Sequence, residues 1–189
     1  MPKTDHIREF VIAAHGNLNK VREMFEKYPN LVNASYAWSE SDRESAIQAA
    51  AQVGSVSVAE FLLTNGAPLE ICTAAMLGRA EDVKSRLDDD PRNADAVGAH
   101  GIPLLPHAVW SADPALIQLV YDRGARKGAN LALHNAVING NPEIVEWLLD
   151  KANPDVTAKN FQGKTPLTVA KERNMSKIVE LLKEHGATD

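Results

Sequence analysis

Residues Asn160-Phe161-Gln162-Gly163-Lys164-Thr165-Pro166-Leu167-Thr168-Val169-Ala170, continued by Ile178-Val179-Glu180-Leu181-Leu182 and closed by Gly186-Ala187, decide the fold. Thr165 offers a side-chain oxygen to the unpaired donors of a helix's first turn. Pro166 follows at the first helical position, where its missing N–H would have had no partner anyway. A short apolar helix then runs towards Asn174, a second begins beyond it, and Gly186 suits the left-handed cap that ends it. The segment reads as two short helices joined by a tight turn.

The same unit recurs upstream. Gly16, Gly78 and Gly140 are spaced by 62 residues, as are Val21, Val83 and Val145, then Phe25, Leu87 and Leu149, then Ala13, Ala75 and Val137. Each 62-residue block divides again around six pivots: Gly16, Gly54, Gly78, Ala112, Gly140 and Asn174. Before each pivot lies a short apolar stretch rich in small residues, such as Ala46–Val53. After it the apolar spacing is helical, as in Ile144, Trp147 and Leu148. Even-numbered pairs close on Gly66-Ala67, Gly124-Ala125 and Gly186-Ala187. Odd-numbered pairs run out at Tyr28-Pro29, Asp90-Pro91 and Asn153-Pro154, where proline stops the helix and sends the chain into an extended excursion. Units of this kind cannot bury their apolar side alone and must stack.

The segment Asn160–Ala187 resembles one complete ankyrin repeat. Leu131-Ala132-Leu133-His134-Asn135-Ala136 with Gly140 and Ile144–Leu149 resembles another, and Ser45–Ala50 with Gly54 and Phe61-Leu62-Leu63 a third. The units at Ala13–Leu31 and Ala74–Pro91 keep less of the pattern, and that at Pro103–Ala125 is intermediate. The resemblance implies an all-α solenoid of about six helix pairs in one domain, 1–189, with repeats near 5–34, 44–68, 69–94, 101–126, 129–154 and 163–187. The chain departs from the family's regular step of 33. No room exists for a hairpin finger between Gly66 and Ala74 or between Gly124 and Leu131. Fingers are expected only at Asn30–Ser45, Pro91–Pro103 and Asn153–Thr165, between alternate repeats.

Composition narrows the function. The chain has 189 residues and a net charge of -5, which argues against a nucleic-acid partner, because that would want a basic stripe. The start Met1–Asp5 opens no apolar signal core and no stretch is long enough to span a membrane, so a cytoplasmic protein is expected. The lone Cys72 allows no internal disulfide and reads as a small buried residue. Asp88-Asp89-Asp90 reads as a solvated helix end. No phosphate-cradling glycine loop, nucleophile elbow or metal-ligand spacing is present, so no cofactor, metal or catalytic residue is assigned. The enzymatic alternative is a small-molecule or metal-dependent activity using His107 and His134, although His134 is better read as a local hydrogen-bonding residue at a helix start.

What remains is a surface. The resemblance implies a monomeric, non-enzymatic adaptor, scaffold or inhibitor that holds a protein partner on its concave face and fingers. Residues just before the pivots lie on that face, which selects Val53, Met76, Leu77, Trp110 and Ile138 as an apolar run. The fingers add Tyr36, Trp38, His100 and Phe161. Exposed apolar patches and a central Trp are typical of interfaces; the competing reading buries Trp110 between repeats. The finger stretch Glu40–Glu44 is expected to be solvated.

Overall fold

The computed structural model describes residues 4–188. Met1–Lys3, part of the segment read for a signal core, and Asp189, the end of the 1–189 span, lie outside the described residues. Among the described residues, twelve α-helices form six consecutive pairs: α1 (Thr4–Ala14) with α2 (Leu18–Lys27), α3 (Ala46–Gln52) with α4 (Val56–Thr64), α5 (Ile71–Met76) with α6 (Ala80–Asp89), α7 (Leu104–Trp110) with α8 (Pro114–Asp122), α9 (Ala129–Asn139) with α10 (Pro142–Lys151), and α11 (Pro166–Glu172) with α12 (Ser176–Glu184). The odd-numbered helices pack side by side along the array, α1 on α3, α5 on α7, α7 on α9 and α9 on α11.

Local chemistry explains the boundaries. The Thr165 hydroxyl accepts the Thr168 N–H, and Asn141 and Asp113 each accept two first-turn N–H groups ahead of a proline. Ser45 and Gln48 make a reciprocal capping box at α3. All six pivots take positive φ: 138° at Gly16, 70° at Gly54, 71° at Gly78, 55° at Ala112, 69° at Gly140 and 57° at Asn174. The even-numbered pairs end in a shared motif, with Ala67 N–H bonded to Leu62 O, Ala125 to Val120 O and Ala187 to Leu182 O. These bonds satisfy carbonyls that the last helical turn leaves over.

The three fingers fall where the prolines send the chain. The first is a hairpin, β1 (Ser35–Ala37) against β2 (Arg43–Ser45), with Tyr36 opposite Glu44. The second has a single bridge, Val97 to Pro103. The third is a turn closed by Asn160 N–H on Lys164 O at 2.9 Å. No strand lies between Gly66 and Ile71 or between Gly124 and Ala129. The alternation of long and short connections is therefore an alternation of fingered and bare junctions.

Val21, Val83 and Val145 are all fully buried, and Leu87 and Leu149 nearly so. Phe25, at the equivalent place in the first pair, is only partly buried and stands edge-on to Phe61, ring centres 5.5 Å apart. Two apolar clusters result, one from Phe10 to Met76 and one from Ile71 to Ala187. They meet at α5, whose six residues are all buried. Among the described residues, no helix is long and apolar enough to cross a membrane.

Candidate partner-binding groove

The helix ends just before the pivots converge on a groove of about 420 Å³. Gln52 and Val53 from the end of α3, Trp110 from α7, Ile138 from α9 and Arg173 after α11 line its floor; Asn160, Phe161, Gln162 and Lys164 of the third finger form one wall. Phe161 is 90 % exposed. The loop holds it there by bonding inward, because the Asn160 side-chain oxygen accepts the N–H of both Gln162 and Lys164. Polar groups at the rim are partly committed: Lys164 pairs with Glu172 at 2.6 Å, and Arg173 donates to Ile138 O at 2.8 Å.

Trp110 settles between the two readings of it. Its ring is partly buried, yet it lines the groove. The indole N–H donates to Gln52 O at 3.0 Å, two helix pairs away. A Cβ built on Gly54 would lie 2.7 Å from the indole, so the ring lies flat against that pivot's backbone. The third pair contributes no side chain to the groove, and the indole of the fourth reaches past it to the second.

The expected site residues separate into groups. Val53, Trp110, Ile138 and Phe161 share the groove. Tyr36, Trp38 and His100 gather instead at the first two fingers: Tyr36 and Trp38 stack edge-on at 4.8 Å, and His100 lies 6.3 Å from Trp38. Leu77 is half-buried against the N-terminal cluster. Met76 is 1 % exposed, which corrects its assignment to an exposed apolar run. The short α5 is covered by α3 on one side and α7 on the other, so the register that exposes other positions submerges this one.

The stretch Glu40–Glu44 also needs correction. Glu44 is fully buried. Its carboxylate accepts the Trp38 indole N–H at 2.8 Å and lies 3.3 Å from His15 Nε2 and 3.5 Å from His100 Nε2. His100 Nδ1 sits 2.7 Å from Asp42, and the Arg8 guanidinium lies over the Trp38 ring. Sequence reading missed both Glu44 and His15; the alternation within the short β2, with Arg43 exposed and Glu44 inward, was the available signal.

His107 and His134 each meet a backbone carbonyl. His107 Nδ1 meets Pro103 O at 2.8 Å, its Nε2 faces Gly98, and burial pushes its pKa below the ordinary value. His134 lies within α9, not at its start, and its Nε2 meets Ala158 O in the third finger at 2.9 Å. Burial lowers its pKa as well. Cys72 is buried, and burial pushes its thiol up to about 12. Among the described residues, no three His, Cys, Asp or Glu side chains come together to hold a metal ion.

A profile described as ankyrin repeats, in three copies, matches residues 105–189. The repeated helix pairs over the rest of the chain have the same build. Residues 105–189 thus carry ankyrin repeats, and the fold of the whole described chain is the ankyrin-repeat fold. It is similar to the solved ankyrin-repeat domain of Bcl-3, described as a unique member of the IkappaB family, with a TM-score of 0.53, 22 % identity, and coverage of 95 % of this chain and 86 % of that one. Identity that low carries the ankyrin fold alone. An I-Kappa-B like protein C2 of Microplitis demolitor bracovirus is 36 % identical over 62 residues, 33 % of this chain and 34 % of that protein. The palmitoyltransferase ZDHHC17 of Danio rerio is 37 % identical over 78 residues, 39 % of this chain and 12 % of that protein. The matches thus span about a third or less of these relatives.

Proposed function

We propose that this ankyrin-repeat chain is a non-catalytic binding module, an adaptor, scaffold or inhibitor, that seats a protein partner in the groove and against the fingers. The observation that carries the reading is Phe161, an aromatic ring held in water at the lip of a groove floored by Val53, Trp110 and Ile138. Burying such a ring gains roughly 2–3 kcal/mol, and a partner is what can supply the burial. The presence of ankyrin repeats and of IkappaB-like relatives supports protein binding as the class of activity. Tyr36, Trp38 and His100 form a second contact region, and Leu77, half-buried and outside the groove lining, a minor one.

On this reading the residues 1–189 act as one domain and as a monomer in the cytoplasm, without cofactor or nucleic acid. The acidic balance, net charge -5, supports the last point. The test is affinity capture from the native cell with the wild type and Phe161→Ala. The substitution leaves the fold untouched and weakens the captured complex by about 1–3 kcal/mol, as for an interface anchor. Undiminished capture by Phe161→Ala and by Val53→Asp together would remove the groove from the interface.

A further inference from the structure

We propose that the first finger is fastened to α1 by a proton: the imidazolium of His15 holds the buried carboxylate of Glu44, and the fastening loosens when the ring becomes neutral. The geometry around His15 carries this. Its Nδ1 lies 3.1 Å from Val11 O; its Nε2 lies 3.3 Å from Gln52 Oε1 and 3.3 Å from Glu44 Oε1. Turning the Gln52 amide would still leave Val11 O at Nδ1 and, at ion-pair distance from Nε2, the buried Glu44 Oε1, which has no other hydrogen-bond partner. Only the doubly protonated ring donates from both nitrogens. A neutral ring sets a lone pair against an oxygen on one side or the other.

Glu44 makes that choice costly. Its side chain has no exposure to water. Trp38 N–H supplies Oε2 with a hydrogen bond, whereas Oε1 has His15 as its cationic neighbour. A buried carboxylate stripped of its counter-charge is strongly destabilising. The remaining charged groups around it are few. Helix α1 brings Arg8, which lies over Trp38 rather than on the carboxylate. The second finger brings His100, placed between Asp42 and Glu44. Arg43 turns away to Ser35, and α3 presents the uncharged Gln52.

The sign follows from His15. Its pKa is raised above the ordinary 6.5, chiefly by the bond to Glu44 and against the opposing effect of burial. A raised folded-state value means that the fastening is complete below 6.5 and is lost as pH rises through that higher value. The finger, rather than the whole array, should respond, because the pair joins only α1, the hairpin and the end of α3.

The experiment follows the six histidine rings by NMR and the amide exchange of residues 35–45, corrected for intrinsic rate, in the full chain between pH 6 and 9. The expected result has three parts. The His15 ring titrates above 6.5. Finger protection falls with rising pH, by about tenfold for each unit of that elevation. In His15→Gln the protection is low and flat with pH, while α9 amides stay protected. In Glu44→Gln the His15 ring returns to its ordinary range. A wild-type His15 ring titrating at or below 6.5, or finger protection that does not change across this range, overturns the proposal without reference to any variant. So does an undiminished pH response in a folded His15→Gln.

Discussion

Ala112 occupies a pivot where five other repeats place glycine or asparagine, and it does so at φ 55°. For an L-residue with a Cβ this region costs roughly 1–2 kcal/mol. The side chain is exposed, so removing it forfeits no packing. Ala112→Gly should therefore raise stability, by up to about 1 kcal/mol once glycine's larger unfolded-state entropy is counted. A lower urea midpoint would show that the turn wants its methyl group. Gly54 is the opposite case. Positive φ and the indole of Trp110 both exclude a side chain there, and Gly54→Ala should cost about 1–3 kcal/mol with a shift in Trp110 fluorescence. At His107 the consequence is one of pH. Its folded-state pKa lies below the ordinary 6.5, so its contribution is present above pH 6.5 and lost as pH falls through the lower value. The difference in urea midpoint between pH 7 and pH 5 should shrink in His107→Gln; an equal difference would clear His107 of the acid sensitivity.

At the scale of the element, the 62-residue equivalences make a graded prediction. Leu149 is buried between helix pairs, and Leu149→Ala should cost about 2–4 kcal/mol. Phe25, its equivalent, is half-buried at the end of the array, so Phe25→Ala should cost less, about 1–2 kcal/mol. Chemical denaturation ranks the two, and the reverse order would mean that α2 carries more of the fold than its exposure suggests. Helices, pivots and caps were legible in the sequence because each is a local demand. A left-handed pivot asks for glycine or asparagine, and a first turn asks for a hydroxyl and a proline. The alternation of fingered and bare junctions was legible for the same reason, from where proline and Gly-Ala fall. The site was less so. Val53, Ile138 and Phe161 reach the groove by a register that can be counted, but Met76 obeys that register and is buried by its neighbours. Glu44 looked like one more charge in an acidic loop. What buries it are His15 and His100, brought in by stacking from either side of the hairpin.

Among the described residues, the main helix contacts run between neighbouring pairs, while Trp110 reaches Gln52 and the second finger reaches the first through His100. Stability in such arrays is a sum of unit and neighbour terms, so the ends, with one neighbour each, open most easily. Hydrogen exchange should be slowest in α7 and α9 and fastest in α2 and α12, where uniform protection would point to one cooperative block.

The alternating junctions also set a grammar for changing the molecule's length. A junction with a finger begins at a proline-ended helix; a bare one begins at a Gly-Ala cap. Excising a single helix pair would join unlike ends, a Gly-Ala cap to a start that follows a finger or a proline-ended helix to a start that follows a bare junction. Excising two in sequence restores the alternation. The array can be lengthened or shortened without a mismatched splice only in steps of 62 residues, so its true building block is the double repeat.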